Sequence, residues 1–123
     1  FERIGDTLGA MFEDASEPTL IIASADLSHV GQTFGDERPT TNAFLAGVAK
    51  SDEILLRNLA AGRMDQFISA VRASENATRI CSVGCLAMLA RSLRRPVRTL
   101  RYHQAAQFEA ETTVTCIAGV VER

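Results

Sequence analysis

Three cysteines in 123 residues are too few, and odd in number, for a disulfide framework, which points to a reducing compartment and a cytoplasmic location. No apolar run approaches the roughly 20 residues a membrane-spanning helix needs, and nothing reads as a signal peptide. A formal charge of −2 gives no steering toward nucleic acid or an anionic membrane. The chain has no Gly-x-Ser-x-Gly elbow and no phosphate-cradling glycine loop of the Walker or dinucleotide type. It has no Cys-x-x-Cys pair either, so a zinc-ribbon or iron–sulfur reading lacks ligands. Internal repeats and low-complexity segments are also missing. There are two histidines, His29 and His103.

What is present is an ordinary globular composition, with 46% hydrophobic and 23% charged residues in a length that suits one domain. The organising stretch is residues 20–34. Leu20, Ile21 and Ile22 form a continuous apolar run, as expected of a strand covered on both faces. Ala23, Ser24 and Ala25 narrow the chain, and Asp26, Ser28 and His29 follow where a strand end would open into a crevice. One helical turn after Asp26 would put it on the same face as His29, where it would fix the imidazole's tautomer. His29 could then move a proton or bind a metal. The plainer alternative is a turn capped by Asp26 beside a satisfied histidine.

In chain order, Phe1, Ile4, Leu8, Met11 and Ala15 recur at helical spacing, and Pro18 precedes the strand. Thr41 is placed to cap a helix ending near Gly62, with Phe44, Leu45, Val48, Leu55, Leu56 and Leu59 on one stripe. Lys50, Asp52, Glu53 and Arg57 fall largely outside that stripe. Met64, Phe67, Ile68 and Val71 repeat the pattern. Thr78 is the expected cap of a more buried helix that runs from Ile80 to Leu93 and carries Cys81 and Cys85 near its start. Pro96 stops that helix, and Arg91, Arg94 and Arg95 read as a solvated helix end or a phosphate patch. Residues 97–104 and 112–121 read as strands joined by a short polar return. The order helix-strand-helix-helix-helix-strand-strand makes a layered α/β unit, a sheet flanked by helices.

Cys81 at a helix start would favour its thiolate, a nucleophile and soft metal ligand. Cys116 reads as a small core residue, and the role of Cys85 stays open. A Cys81–His29–Asp26 triad is conceivable if the fold brings the three together. Asn76-Ala77-Thr78 matches the glycosylation sequon, which a cytoplasmic chain would not use.

The run from Ile22 through Asp26, His29, Gly31 and Phe34 resembles the Ser-Ser-Asp-x-x-His-x-Gly signature of the Memo-like family, which includes the AmmeMemoRadiSam system protein B and the mediator of cell motility. The likeness continues through Ile80-Cys81, Leu100-Arg101-Tyr102 and residues 112–120. It implies that residues 1–123 are a single Memo-like domain fragment, the carboxyl-terminal half, as a start at Phe1 also suggests. It further implies a fold similar to class III extradiol dioxygenases. The family's pocket joins two histidines of the upstream half to a cysteine matching Cys81, with His29 beside the metal and Asp26 in the same pocket. The resemblance thus implies iron or copper held by Cys81 and His29, with His29 and Asp26 as catalytic groups and the remaining ligands from the upstream half.

The expected function is a metal-dependent redox or dioxygenase-like enzyme acting on an unidentified small molecule. The alternative is a non-catalytic module, on a vestigial dioxygenase fold, that binds a peptide or protein. Ser82 stands where the family has glycine, Cys85 where proline is common, and His103 matches no family ligand.

Overall fold

Thr41 Oγ1 accepts the amide of Phe44 at 3.2 Å, and this side-chain cap starts the longest helix where the sequence expects it. The computed structural model describes residues 2–17 and 19–121. Its elements are α1 (Glu2–Glu13), β1 (His29–Val30), α2 (Asn42–Ala60), α3 (Met64–Ala73), α4 (Val83–Leu93), β2 (Val97–Gln107) and β3 (Thr112–Val121), with a 3-10 turn at Gln32–Phe34. The architecture is a mixed α/β unit, a three-stranded antiparallel sheet of order β1-β3-β2 with four helices. The polar return proves to be a hairpin in which Val97 pairs with Val121 and Gln107 with Thr112.

The main core joins Leu55, Leu56 and Leu59 of α2 to Phe67 and Val71 of α3, Leu86 and Ala90 of α4, and Val97 of β2. Leu27 and Ile80 belong to the same cluster. These two adjoin Asp26 and Cys81 in sequence, so the core that closes the fold also anchors both segments of the site.

Four expectations are corrected. Residues 20–22 are not a buried strand. Leu20 is 84% and Ile22 79% exposed, and residues 20–25 make no backbone hydrogen bond to another strand among the described residues. An apolar run becomes a buried strand only where a neighbour accepts its backbone groups, and none of the described strands does so. Pairing begins instead at Leu27, whose amide donates to the Thr115 carbonyl at 2.8 Å. Second, Asp26 and His29 are not joined by a helical turn, because the chain there runs extended into β1. Third, Thr78 is not a helix cap. Its hydroxyl meets Ser28 Oγ at 2.7 Å, and α4 starts at Val83, so Cys81 precedes the helix. Fourth, Asp52 lies inside the fold rather than on its solvent face, with 0% exposure.

On α1 the expected apolar stripe is also only partly used. Ile4 and Met11 are exposed, and the buried positions are Gly5 and Gly9. A Cβ at Gly9 would meet the Ser92 carbonyl oxygen at 2.6 Å, so the small residue permits close approach to α4. Phe1 and Pro18, assigned to this helix and to its following break, lie outside the described residues.

Asp6 fastens the same pair of helices. Arg91 donates to both of its carboxylate oxygens at 2.9 Å, and Arg94 Nη2 to Oδ1 at 2.6 Å. Two members of the arginine cluster are thus engaged within the fold. Their hydrogen bonds hold the Asp6 carboxyl at about 2, below its ordinary 3.8. A depressed carboxyl stabilises the fold above its unfolded value and loses that contribution as pH falls through the folded one. Asp6→Asn should therefore lower the melting temperature at neutral pH, and the gap should close between pH 3.8 and about 2. A gap that stays constant on acidification would show that the pair contributes nothing.

Candidate metal centre

The segment before β1 and the loop before α4 meet beside β3, on the edge of the sheet where β1 pairs. There the ligand atoms of Asp26, His29 and Cys81, one each, all lie within 4.8 Å of one another. The contacts are specific. Cys81 Sγ donates to Asp26 Oδ1 at 3.1 Å, and His29 Nε2 lies 3.2 Å from Asp26 Oδ2. Ser82 Oγ donates to Asp26 Oδ1 at 2.8 Å and accepts the Asp26 amide at 3.1 Å, tying the two segments together. Burial alone would raise the Asp26 carboxyl, but the hydrogen bonds from Cys81 and Ser82 and the nearby imidazole outweigh it and hold it below its ordinary value.

His29 is held from three sides. Its Nδ1 faces the Leu27 carbonyl at 3.2 Å, and its ring meets Phe34 edge-on with centroids 5.2 Å apart. Its backbone amide donates to the Thr78 carbonyl at 2.7 Å. With Nδ1–H spent on Leu27, the neutral ring turns a lone pair at Nε2 toward the carboxylate. Two acceptors that face each other need a cation between them, either a proton on the imidazole or a metal ion. Oxygen, nitrogen and sulfur donors together suit a transition metal. The residues present therefore fit a metal.

The arrangement also weighs against a nucleophilic triad. In such a triad the imidazole stands between thiol and acid. Here the acid stands between thiol and imidazole, and His29 spends one nitrogen on a backbone carbonyl.

Of the other candidates, Cys85 is an exposed thiol whose Sγ lies 3.9 Å from the Ser24 carbonyl oxygen. His103 is exposed on β2 and pairs across the hairpin with the half-buried Cys116, so neither joins the cluster. The Asn76 side chain bonds the backbone of Ile80 in both directions, which sets the turn leading to Cys81. Ser82 was not among the expected site residues. Its signal was its place beside Cys81, where the family's glycine has no hydroxyl to offer. A separate cavity of about 780 Å³ lies between residues 19–25, α4 and β3. Phe12, Ile21, Leu86, Leu93 and Ile117 line it, and no member of the cluster does.

The mixed α/β unit thus gathers a carboxylate, an imidazole and a thiol into a group that could hold a metal ion. The family model for Memo-like protein matches residues 1–120, and the chain belongs to that family. A search of curated proteins returns no match. Among the described residues no helix is long and apolar enough to cross a membrane.

Proposed function

We propose that this chain carries one side of an iron or copper centre in a metal-dependent redox or dioxygenase-like enzyme. The observation that carries this reading is the convergence of Asp26, His29 and Cys81 within 4.8 Å. Cys81 and His29 are the ligands. In the metal-free chain Asp26 receives the Cys81 thiol's hydrogen bond, a proton that metal binding would release, and it faces the imidazole at 3.2 Å. A bound ion would supply Lewis acidity and a one-electron couple. With Nδ1 on the Leu27 carbonyl, Nε2 is the one nitrogen available, and it serves either as the ligand or, where the ion is held without it, as the group that exchanges a proton across its 3.2 Å contact with Asp26. Cys81 is exposed, which leaves the sulfur side open to a small-molecule substrate.

Two ligands leave room for further ones, and we assign these to the upstream half of the same protein. The unpaired residues 20–25 and the adjoining cavity support a strand docking beside them. That same unpaired segment favours a second reading, in which an extended peptide adds to it and the domain is a binding module. Three free thiols fit a cytoplasmic protein.

Anaerobic metal analysis of the chain joined to its upstream half tests the proposal. About one iron or copper per chain is expected, with Cys81→Ser abolishing it. Absence of metal from the joined wild-type protein would overturn the assignment. Peptide binding insensitive to both Cys81→Ser and His29→Ala would favour the second reading.

A further inference from the structure

Asp52 is a carboxylate buried in the middle of α2, and among the described residues its oxygens take hydrogen bonds from three hydroxyls. Ser28 Oγ donates to its Oδ1 at 2.6 Å, and Thr115 Oγ1 and Tyr102 OH donate to Oδ2 at 2.6 and 2.8 Å. Burial, with this carboxylate alongside, pushes the Tyr102 hydroxyl well above its usual range and keeps it a donor. Ser28 has one proton, spent on Asp52, so at 2.7 Å it accepts from the Thr78 hydroxyl. Thr115 likewise accepts the Ser28 amide at 2.8 Å while it donates to Asp52.

Ser28 lies between the two residues that set the imidazole: Leu27, whose carbonyl takes Nδ1, and His29 itself. Three bonds lock residues 27 and 28 to Thr115. They are Leu27 N to Thr115 O, Ser28 N to Thr115 Oγ1, and Thr115 N to Ser28 O, at 2.8, 2.8 and 2.9 Å. The hydroxyls of both locked partners, Ser28 and Thr115, end on the same carboxylate.

We propose that Asp52 is the positioning residue of the site: through Ser28 and Thr115 it fixes residues 27–29 on β3, and so the direction in which His29 faces Asp26 and Cys81. This rests on the metal-centre reading only for its purpose. The orientation of the ring can be tested without metal. Asp52 bonds none of the donors itself; one arm of its contacts, Ser28 and Thr115, leads to His29, and the other, Tyr102, leads to β2. A carboxylate that merely stabilised the fold would respond alike to loss of either arm, whereas a positioning group would not.

The test compares Asp52→Asn, Ser28→Ala and Tyr102→Phe by two readouts. One is the His29 Nδ1–H resonance in ¹⁵N-histidine-labelled, metal-free protein in mildly acidic solution, visible only while that proton is bonded and shielded. Amide-exchange protection of β2 and β3 reports the fold alongside it. The other is Co²⁺ affinity of the protein joined to its upstream half, followed by thiolate-to-cobalt absorption. Ser28→Ala and Asp52→Asn should lose the Nδ1–H resonance with hairpin protection retained, and bind Co²⁺ about 10–100-fold more weakly. Tyr102→Phe should keep both signals.

Loss of the resonance in Tyr102→Phe to the same degree, or its survival in Ser28→Ala, would overturn the proposal. If Asp52→Asn fails to fold, the contrast between the two hydroxyl deletions decides it. Wild-type protein that binds no Co²⁺ yet shows the expected resonance pattern would sink the metal reading and leave the positioning role standing.

Discussion

Replacing Phe67 with alanine is expected to destabilise the fold by about 3–5 kcal/mol. Its ring has 0% exposure and packs in the cluster that also holds Leu27 and Ile80. A domain of this size is stable by only about 5–15 kcal/mol, so this one ring accounts for a large share. The consequence reaches the site, because Leu27 and Ile80 hold the backbones of Asp26 and Cys81 in place. Chemical denaturation should show the midpoint falling with little change in slope. A loss under about 1 kcal/mol would mean that the neighbours collapse into the space and that the cluster does not depend on this ring.

Gly31→Ala should be comparably damaging for a different reason. Gly31 has φ 113° and ψ 169°, a region open in practice only to glycine, at a cost of about 1–3 kcal/mol for other residues. A Cβ there would also press on the Glu111 carbonyl, whose carbon would lie 2.8 Å away, and on Thr40 Oγ1 at 3.0 Å. Backbone cannot swing aside as a side chain does, so a further clash cost of about 1–3 kcal/mol follows. Because Gly31 N also donates to Asp36 Oδ2 at 2.7 Å, the strain enters a turn two residues from His29. Gly47→Ala is the control. It lies in α2 with nothing within 4 Å of the added methyl and should stabilise by about 0.5–1 kcal/mol. Thermal melts of the two variants should move in opposite directions, and a neutral Gly31→Ala would show that the turn is looser than its contacts indicate.

Much of the helical frame was legible because local chemistry and burial agree there. Thr41 marks the start of α2, and Leu45, Val48, Leu55, Leu56 and Leu59 on its apolar stripe are all buried. The burial of Asp52 has a signal in its position along α2. Asp52 stands four residues after Val48 and three before Leu55, on the buried side, and a carboxylate there demands donors. Ser28, Tyr102 and Thr115, which supply them, are remote in sequence and gave no warning. The Asp26–His29 pairing was expected through a helical turn and occurs without one, in a non-helical segment that Ser82 ties down at Asp26. Residues 20–22 failed as a strand because apolar patterning records what a segment needs, not whether a neighbour supplies it.

The candidate metal centre is stitched across long stretches of chain: Cys81 to Asp26 spans 55 residues and Ser28 to Thr115 spans 87. Loops of that length close late, and the contacts that define the donors gain nothing until the hairpin and the core have formed. A newly made chain therefore carries its thiol, imidazole and carboxylate as scattered weak ligands. They become one site only when folding is nearly complete. Metal capture would then stabilise the native state selectively and serve as a readout of finished folding.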